Sequence, residues 1–441
     1  MRRLKTNNMK KYILLASVLL GSTLSYAQKA KIQDALNYLK DKDVPAAKKA
    51  IDEATANEST ASSAKAWLIK GVVYQAISTP AEMMPSLQFI MGDKIYDIDV
   101  SSAASLKAST PNADQEAINA YKKSIALDPK YDKNSFLPLL SIMGIVNFNA
   151  GVNSMNKSNF NEAMKAFQSV VDLGDIDGGK LWKGLPQVDT LVASSRMYKG
   201  NCAFQLSKDD EAISILEECI KSPITQTADV YVMLSDIYER KNDDTKWLAL
   251  MKEAKAKFPS DKRIINNEIN YYLKKGKGEE SIAKLKEGIA AEPNRTDLLN
   301  ILGQTYYNMA NPEKGARPAN AKELEQNALQ SYTKAAEINP KDIYSQYYLG
   351  QLYYNQAKNM TDEMNKADDK TYEKMKPQRD ELLNKSLPYL EKARGLAEAE
   401  GISDSNKEIY KSSLMGLEQA YRIMGNEEKS TEYSNLNNKV K

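Results

Sequence analysis

The feature of this sequence that most constrains its fold is a repeated pattern of small and bulky residues. The repeat is clearest where two prolines, Pro259 and Pro293, lie 34 residues apart. Each copy begins with a glycine or another small residue and has a tyrosine three positions later. A small residue, a bulky apolar residue, a second small residue and a proline then follow in that order. Such a repeat fixes the architecture, because one unit buries its apolar face only against neighbouring copies.

Each position in the best copy has a mechanical role. The copy begins at Gly303 and Tyr306 and, after an insertion, resumes at Ala328, Tyr332 and Pro340. Glycine and alanine let two antiparallel helices approach, tyrosine fills the seam between neighbouring pairs, and proline ends the second helix because it has no backbone N–H. Further copies, of which the weakest start without a glycine, begin at Gly71, Gly151, Gly200, Ser235, Ile269, Gly350 and Leu414.

These residues resemble the tetratricopeptide repeat. The resemblance implies an all-α fold, an α-solenoid of antiparallel helix pairs with about eight units. Composition agrees, because 42% apolar and 27% charged residues suit a chain with a long core, and strand-like alternation is scarce. Since each repeat packs only on its neighbours, we predict one elongated domain over residues 28–441.

The first 27 residues differ in kind from the repeats. Five basic residues precede an apolar run, Tyr12 to Leu24, and the run ends in Ser25-Tyr26-Ala27. This order is typical of a secretory signal peptide, and we predict cleavage after Ala27. The run is shorter than the roughly 20 residues of a spanning helix, so we expect no spanning segment in the mature chain. Translation from either Met1 or Met9 would supply a basic head.

Charge and residue usage exclude several functions. The whole chain has 61 basic and 58 acidic residues, and removing the five basic residues of the signal leaves 56 against 58. No basic stripe is present, so we expect no nucleic-acid partner. The sequence has no histidine, which removes the commonest general base and the usual zinc ligand. We therefore predict that the protein is not an enzyme and uses no metal and no cofactor.

The two cysteines, Cys202 and Cys219, fall in the first and second helices of one repeat. Both occupy positions where the repeat places a small residue facing the partner helix. In an oxidising compartment they could form a disulfide across the helix pair. The alternative is that both are buried thiols that serve as small apolar residues.

Four insertions interrupt the pattern, near residues 78–112, 174–193, 311–327 and 358–385. The first is strongly apolar, and it either folds back over the early repeats or serves as a docking element. In the second, Asp175 and Asp177 suggest the start of a calcium loop, but Pro186 stands where the glutamate ligand belongs, so we expect a polar turn. The last two have helical spacing, and we expect Pro377 to start the returning helix of a long hairpin.

The family resemblance implies a concave groove lined by the first helices of the pairs. Amide and tyrosine side chains occupy the groove positions of the sixth and seventh units, which suits contact with a peptide backbone. Tyrosine is also frequent at these positions as scaffold, so both roles stay open. The predicted partner-binding residues are Asn300, Gln304, Tyr307, Asn308, Tyr347, Gln351, Tyr354 and Asn355.

We therefore predict a scaffold or adaptor that binds other proteins of the cell envelope through the groove and the inserted loops. The signal and the Asn, Tyr and Lys-rich composition resemble exported proteins of the Bacteroidota. We therefore predict a periplasmic protein, and whether it is also recruited to an outer-membrane assembly stays open. Two alternatives stay open: a glycan-binding accessory protein of an outer-membrane uptake system, and a purely structural spacer. The oligomeric state, and whether the groove holds a peptide, a helix or a glycan, are also open.

Overall fold

The structure is a computed structural model that describes residues 29–183 and 185–440. The predicted signal peptide lies outside these residues and stays a prediction. The described chain divides into two compact units, with the boundary between Leu250 and Met251. The expectation of one elongated domain is a further prediction, and each unit is described by itself below.

The first unit consists of successive helices interrupted by a small sheet. Its elements are α1 (29–40), α2 (Val44–Ala56), α3 (Ala64–Ser78), β1 (Ser86–Met91), β2 (Lys94–Asp99), a 3-10 helix (Val100–Leu106), α4 (Ala113–Leu127), α5 (Lys133–Asn156), α6 (Phe160–Gly174), a second 3-10 helix (Ile176–Trp182), α7 (Pro186–Gln205), α8 (Asp209–Cys219) and α9 (Ala228–Arg240).

The next helix, α10 (Asp244–Lys257), contains the boundary between the two units. All regular elements in the described residues of the second unit are helices. Its elements are α11 (Lys262–Lys274), α12 (Gly278–Ala291), α13 (Thr296–Ala310), α14 (Ala321–Ile338), α15 (Ile343–Met364), α16 (Asp369–Glu400), α17 (Lys407–Ile423) and α18 (Glu427–Lys439).

The glycine of each well-kept copy brings two helices of a pair into close contact. A Cβ atom on Gly303 would lie 2.4 Å from the Tyr332 ring, and one on Gly71 would lie 2.4 Å from the Tyr121 ring. Both rings are buried and come from the second helix of the same pair. The same relation holds for Gly151 with Phe167, Gly200 with Leu216, and Gly350 with Leu390. The predicted fold class, stacked antiparallel helix pairs, is confirmed in each unit.

The insertion near residues 78–112 contains a β-hairpin that helical spacing did not predict. Strands β1 and β2 pair antiparallel with Phe89 opposite Tyr96, and these rings stack with centroids 4.7 Å apart. Gly92 takes φ +60° in the two-residue turn, a conformation open to glycine at no steric cost. Phe89 and Tyr96 are buried in the core formed by α3, α4 and α5, whereas Ile95 on the other face is 69% exposed.

The insertion near residues 174–193 forms the second 3-10 helix and the start of α7. Asp177, Gly178 and Gly179 all have positive φ, and Trp182 donates from Nε1 to the carbonyl of Leu173 at 2.8 Å. The Asp177 carboxylate accepts a hydrogen bond from the Tyr131 hydroxyl at 3.1 Å. This turn therefore packs onto α6 and onto the segment between α4 and α5.

Helix α5 has an unusual composition, with no charged residue from Asn134 to Asn156. Of the helices in residues 29–183 and 185–440, it alone is long and apolar enough to cross a membrane, and 44% of its apolar window is buried. In the first unit it packs against α6, α7 and β1. The expectation of no spanning segment in the mature chain stays a prediction.

The insertion near residues 358–385 is a long helical hairpin made by the ends of α15 and α16. The expectation that Pro377 starts the returning helix is wrong, because α16 begins at Asp369 and Pro377 lies inside it. The start is set by Asp368, whose side chain accepts a hydrogen bond from the Thr371 N–H at 2.9 Å. This N-cap offsets part of the cost of an interior proline.

The insertion near residues 311–327 is shorter and less regular than predicted. Irregular backbone follows α13 as far as Asn320, and α14 begins at Ala321. Glu325, which is 8% exposed, accepts hydrogen bonds from Arg317 and Asn311. These bonds hold the loop onto the α13–α14 pair.

Candidate functional site

One face of the second unit is lined by α11, α13, α15 and α17, which are the first helices of successive pairs. Helix α13 has an acidic residue, Asp297, in its first turn, where a negative charge interacts favourably with the helix dipole. The helix ends at Ala310, directly before Asn311 and Pro312. Asn300, Gln304 and Asn308 recur along it at intervals of four. This spacing places the three amides on one side of the helix, toward the groove.

The first recess of this groove is a cavity of about 570 Å³ between α11, α13 and the start of α15. The α13 wall carries Asn300, Gln304 and Asn308, with Ile301 between them. The other walls, which sequence reasoning did not anticipate, are Leu273 from α11 and Asp342, Tyr344 and Tyr348 at the start of α15. The recess therefore combines apolar and aromatic walls with convergent polar groups, as binding sites commonly do.

Of the three predicted amides of α13, Asn300 is engaged with α15, whereas Gln304 and Asn308 pair with each other. Asn300 is 6% exposed, donates to Asp342 Oδ2 at 2.7 Å and accepts from the Ser345 hydroxyl at 3.1 Å. Gln304 donates to Asn308 Oδ1 at 2.7 Å. Asn300 thus fixes α13 against α15, while the amide N–H groups of the exposed Asn308 donate no hydrogen bond within residues 29–183 and 185–440.

The second recess is a smaller cavity of about 170 Å³ between α15 and α17. It is lined by Tyr347, Gln351, Tyr354 and Asn355 from α15, and from α17 by Ser412, Met415, Gly416 and Gln419. Leu390 of α16 lies at its base. All four predicted residues of the seventh unit therefore meet in one recess.

A hydrogen bond joins the two recesses. Asn355 donates from Nδ2 to the Tyr307 hydroxyl at 2.7 Å, which links α15 to α13. Tyr307 is half-buried and lies between the recesses rather than in either wall. The predicted residues thus form one continuous surface on the first-helix face of the second unit.

The tyrosines of this surface are neutral at physiological pH. Burial raises the pKa of Tyr307, Tyr347 and Tyr354 above the ordinary value of a phenol. Tyr347 is 8% exposed and Tyr354 is 9% exposed, and the Tyr354 hydroxyl donates to Gln419. These two rings therefore pack mainly as part of the scaffold, whereas Gln304, Asn308 and the edges of the recesses are more accessible to solvent.

Cys202 and Cys219 are both buried free thiols on α7 and α8. Burial raises the pKa of each thiol to about 11. Neither side chain lines the groove of the second unit. Their pairing in an oxidising compartment stays a prediction.

Three of the solved structures similar to this chain are the following. The C-terminal part of a TPR repeat-containing protein from Cytophaga hutchinsonii is 15% identical, with a TM-score of 0.45 over 65% of this chain and 92% of that one. The protein MamA is 16% identical, with a TM-score of 0.33 over 45% and 93%. A thermophilic TPR protein from Thermus thermophilus is 19% identical, with a TM-score of 0.28 over 46% and 94%.

No protein-family model and no curated protein matches the chain. The class of protein is instead defined by its own geometry, in which a glycine of the first helix packs under a bulky residue of the second helix in five pairs. The chain is built from repeated helix pairs similar to those of tetratricopeptide-repeat proteins, and the all-α helix-pair fold that the resemblance implies is confirmed. The resemblance to Bacteroidota proteins stays a prediction.

Proposed function

We propose that this chain is a non-enzymatic scaffold that holds a segment of a partner protein in the groove formed by α11, α13, α15 and α17. The observation that carries this proposal is the pair of adjacent recesses on that face. Together the two recesses extend along two successive helix pairs, and a groove of this extent suits a polypeptide segment better than a small molecule.

The chemistry of the walls also favours a polypeptide. Asn308 and Gln304 present amide groups that can pair with a peptide backbone, and Leu273 and Ile301 supply apolar contact beside them. Met415 of the second recess is 46% exposed, and its flexible side chain adapts to different neighbours. A ligand of this class would bury apolar surface while satisfying its own N–H and C=O groups.

Selection of random 12-residue peptides displayed on phage, against the mature chain, tests this proposal. We expect bound peptides whose affinity falls in the double variant Gln304→Ala/Asn308→Ala, because the exposed amides of α13 are removed. A loss of about 1–2 kcal/mol is expected for two hydrogen bonds at a solvent-accessible site. The readout is the Kd of synthetic versions of the selected peptides.

The matched control is Gln115→Ala/Asn119→Ala on α4. Gln115 donates to Asn119 Oδ1 at 3.3 Å, so this pair has the same spacing and the same local bond but lies in the first unit. Its Kd should equal that of the unmodified chain. Failure to select any peptide, or equal loss in both double variants, would contradict the proposed function.

We also propose that the scaffold works in the cell envelope, most simply in the periplasm. Support comes from the basic head, the apolar run and the small residues that end at Ala27. Fractionation followed by N-terminal sequencing should recover a periplasmic chain that begins at Gln28. Recovery of the uncleaved chain from the cytoplasm would refute export.

A further inference from the structure

The first recess contains a carboxylate whose charge has no cationic partner among the described residues. Oδ2 of Asp342 accepts hydrogen bonds from Asn300 Nδ2 at 2.7 Å, from the Ser345 N–H at 3.0 Å and from the Ser345 hydroxyl. All these donors are neutral. Oδ1 of Asp342 accepts no hydrogen bond in the part of the chain that the structure describes.

The other carboxylate of this recess provides a contrast. Asp297 forms an ion pair with Arg295, whose Nε donates to Asp297 Oδ1 at 2.8 Å, so its charge is compensated within the chain. Among the described residues, the walls of the recess include no lysine and no arginine. The uncompensated negative charge of the recess is therefore that of Asp342.

Two aromatic rings, those of Tyr344 and Tyr348, line the same recess as this carboxylate. Tyr344 is 41% exposed, and its hydroxyl donates to the carbonyl of Ser405 at 3.0 Å, which fixes the ring at the rim of the recess. Tyr348 stacks on Tyr332 with centroids 5.1 Å apart. Burial raises the pKa of Tyr348, and the charges of Tyr344 and Asp342 raise it further.

We propose that the first recess binds an arginine side chain of the partner segment, with the guanidinium group at Asp342 Oδ1 and against the ring of Tyr344. This inference rests on the proposed function and adds the chemistry of the partner. A guanidinium group suits the site because it donates to carboxylates and stacks on aromatic faces, whereas an ammonium group does only the first well. Its apolar stem would lie along Leu273 and Ile301.

The test compares arginine with citrulline, which has nearly the same shape and no charge. Peptides selected on the mature chain should be enriched in arginine over the unselected library. In the tightest peptide, replacing that arginine by citrulline should weaken binding about tenfold, as expected for one exposed ion pair together with one cation–π contact.

The protein side of the test is Asp342→Asn, which removes the charge and keeps the N-cap of α15, because asparagine caps helices as well as aspartate does. It should weaken the arginine peptide about fivefold and leave the citrulline peptide unchanged. Tyr344→Leu should weaken the arginine peptide about threefold through loss of the ring. The control is Asp368→Asn, which makes the same change at the N-cap of α16, outside the recess, and should alter neither Kd.

The outcomes separate this inference from the proposed function. Selected peptides without arginine enrichment that still depend on Gln304 and Asn308 would overturn the inference and leave the proposed function standing. Equal effects of Asp342→Asn on the arginine and citrulline peptides would also overturn it. Selection of no peptide at all would contradict both.

Discussion

Substituting alanine for Gly303 tests the contact on which the helix-pair repeat depends. The new Cβ would lie 2.4 Å from Cε1 and 2.7 Å from Cδ1 of Tyr332, far inside the ordinary carbon–carbon contact of about 3.5–4.0 Å. The Tyr332 ring cannot retreat freely, because it is 2% exposed and stacks on Tyr348. The two helices of the pair must therefore move apart.

The expected magnitude combines two opposing effects. Overpacking a well-packed site costs about 1–3 kcal/mol. Alanine in place of glycine in a helix interior stabilises the helix by about 1 kcal/mol at most. We expect Gly303→Ala to lower the free energy of local unfolding by about 1–2 kcal/mol, since overpacking against a rigid ring exceeds the gain in helix propensity.

The matched control is Gly395→Ala in α16, where a Cβ atom would meet no atom within 4 Å. This variant should be more stable by about 0.5–1 kcal/mol. The assay is hydrogen–deuterium exchange of the peptides that cover the helix concerned, in which a change of 1.4 kcal/mol alters the exchange rate about tenfold. In a Tyr332→Ala background the cost of Gly303→Ala should disappear. A Gly303→Ala variant as stable as Gly395→Ala would refute the packing argument.

Three further predictions concern thiols, the long hairpin and acid. Because burial raises the pKa of Cys202 and Cys219 to about 11, a thiol reagent at about pH 8 should react slowly with the native chain and quickly with the chain unfolded in urea. Fast reaction of the native chain would contradict the burial. If neither thiol reacts in urea without reductant, the two cysteines form the disulfide. Pro377→Ala should stabilise α16 by up to about 3 kcal/mol, because it restores a helical N–H and removes a ring clash. Hydrogen–deuterium exchange in residues 369–385 should then become slower. Unchanged exchange would show that the helix already accommodates the proline. The hydrogen bond from Arg295 lowers the pKa of Asp297 in the folded chain. The ionised Asp297 therefore stabilises the fold fully above the ordinary carboxyl pKa of about 3.9, and this stabilisation is lost as the pH falls through the lower pKa of the folded state. Asp297→Asn should therefore lower the urea midpoint near pH 6 more than near pH 3, and an equal effect at both would exclude the charge as the cause.

The helix pairs could be predicted from sequence because their cause is local and periodic. A glycine on one helix contacts a bulky residue on the next, as Gly303 contacts Tyr332, and the spacing of such pairs is visible in the sequence. The hairpin was missed because its alternation is short and both of its faces carry apolar residues. Phe89 and Tyr96 are buried, yet Ile90 and Ile95 on the outer face are exposed, so the segment resembles a continuous apolar loop.

The candidate site was only partly predictable for a related reason. Residues on one helix face follow from the period, so Gln304 and Asn308 could be assigned to the groove. The opposite wall comes from Asp342 and Tyr344, whose position depends on how far the first turn of α15 overlaps α13, and this is a tertiary relation. Asp342 did carry one local signal, since an aspartate immediately before a helix predicts an N-cap.

The most direct test of a partner-binding groove is a crosslinking map. A selected peptide carrying a photo-crosslinking residue at its centre would be irradiated on the mature chain, and the attachment sites would be located by mass spectrometry. The groove account predicts crosslinks within Thr296–Ala310 and the first turns of Ile343–Met364, and their loss in Gln304→Ala/Asn308→Ala but not in Gln115→Ala/Asn119→Ala. Crosslinks confined to the hairpin strands Ser86–Met91 and Lys94–Asp99, or unchanged by either double variant, would contradict it.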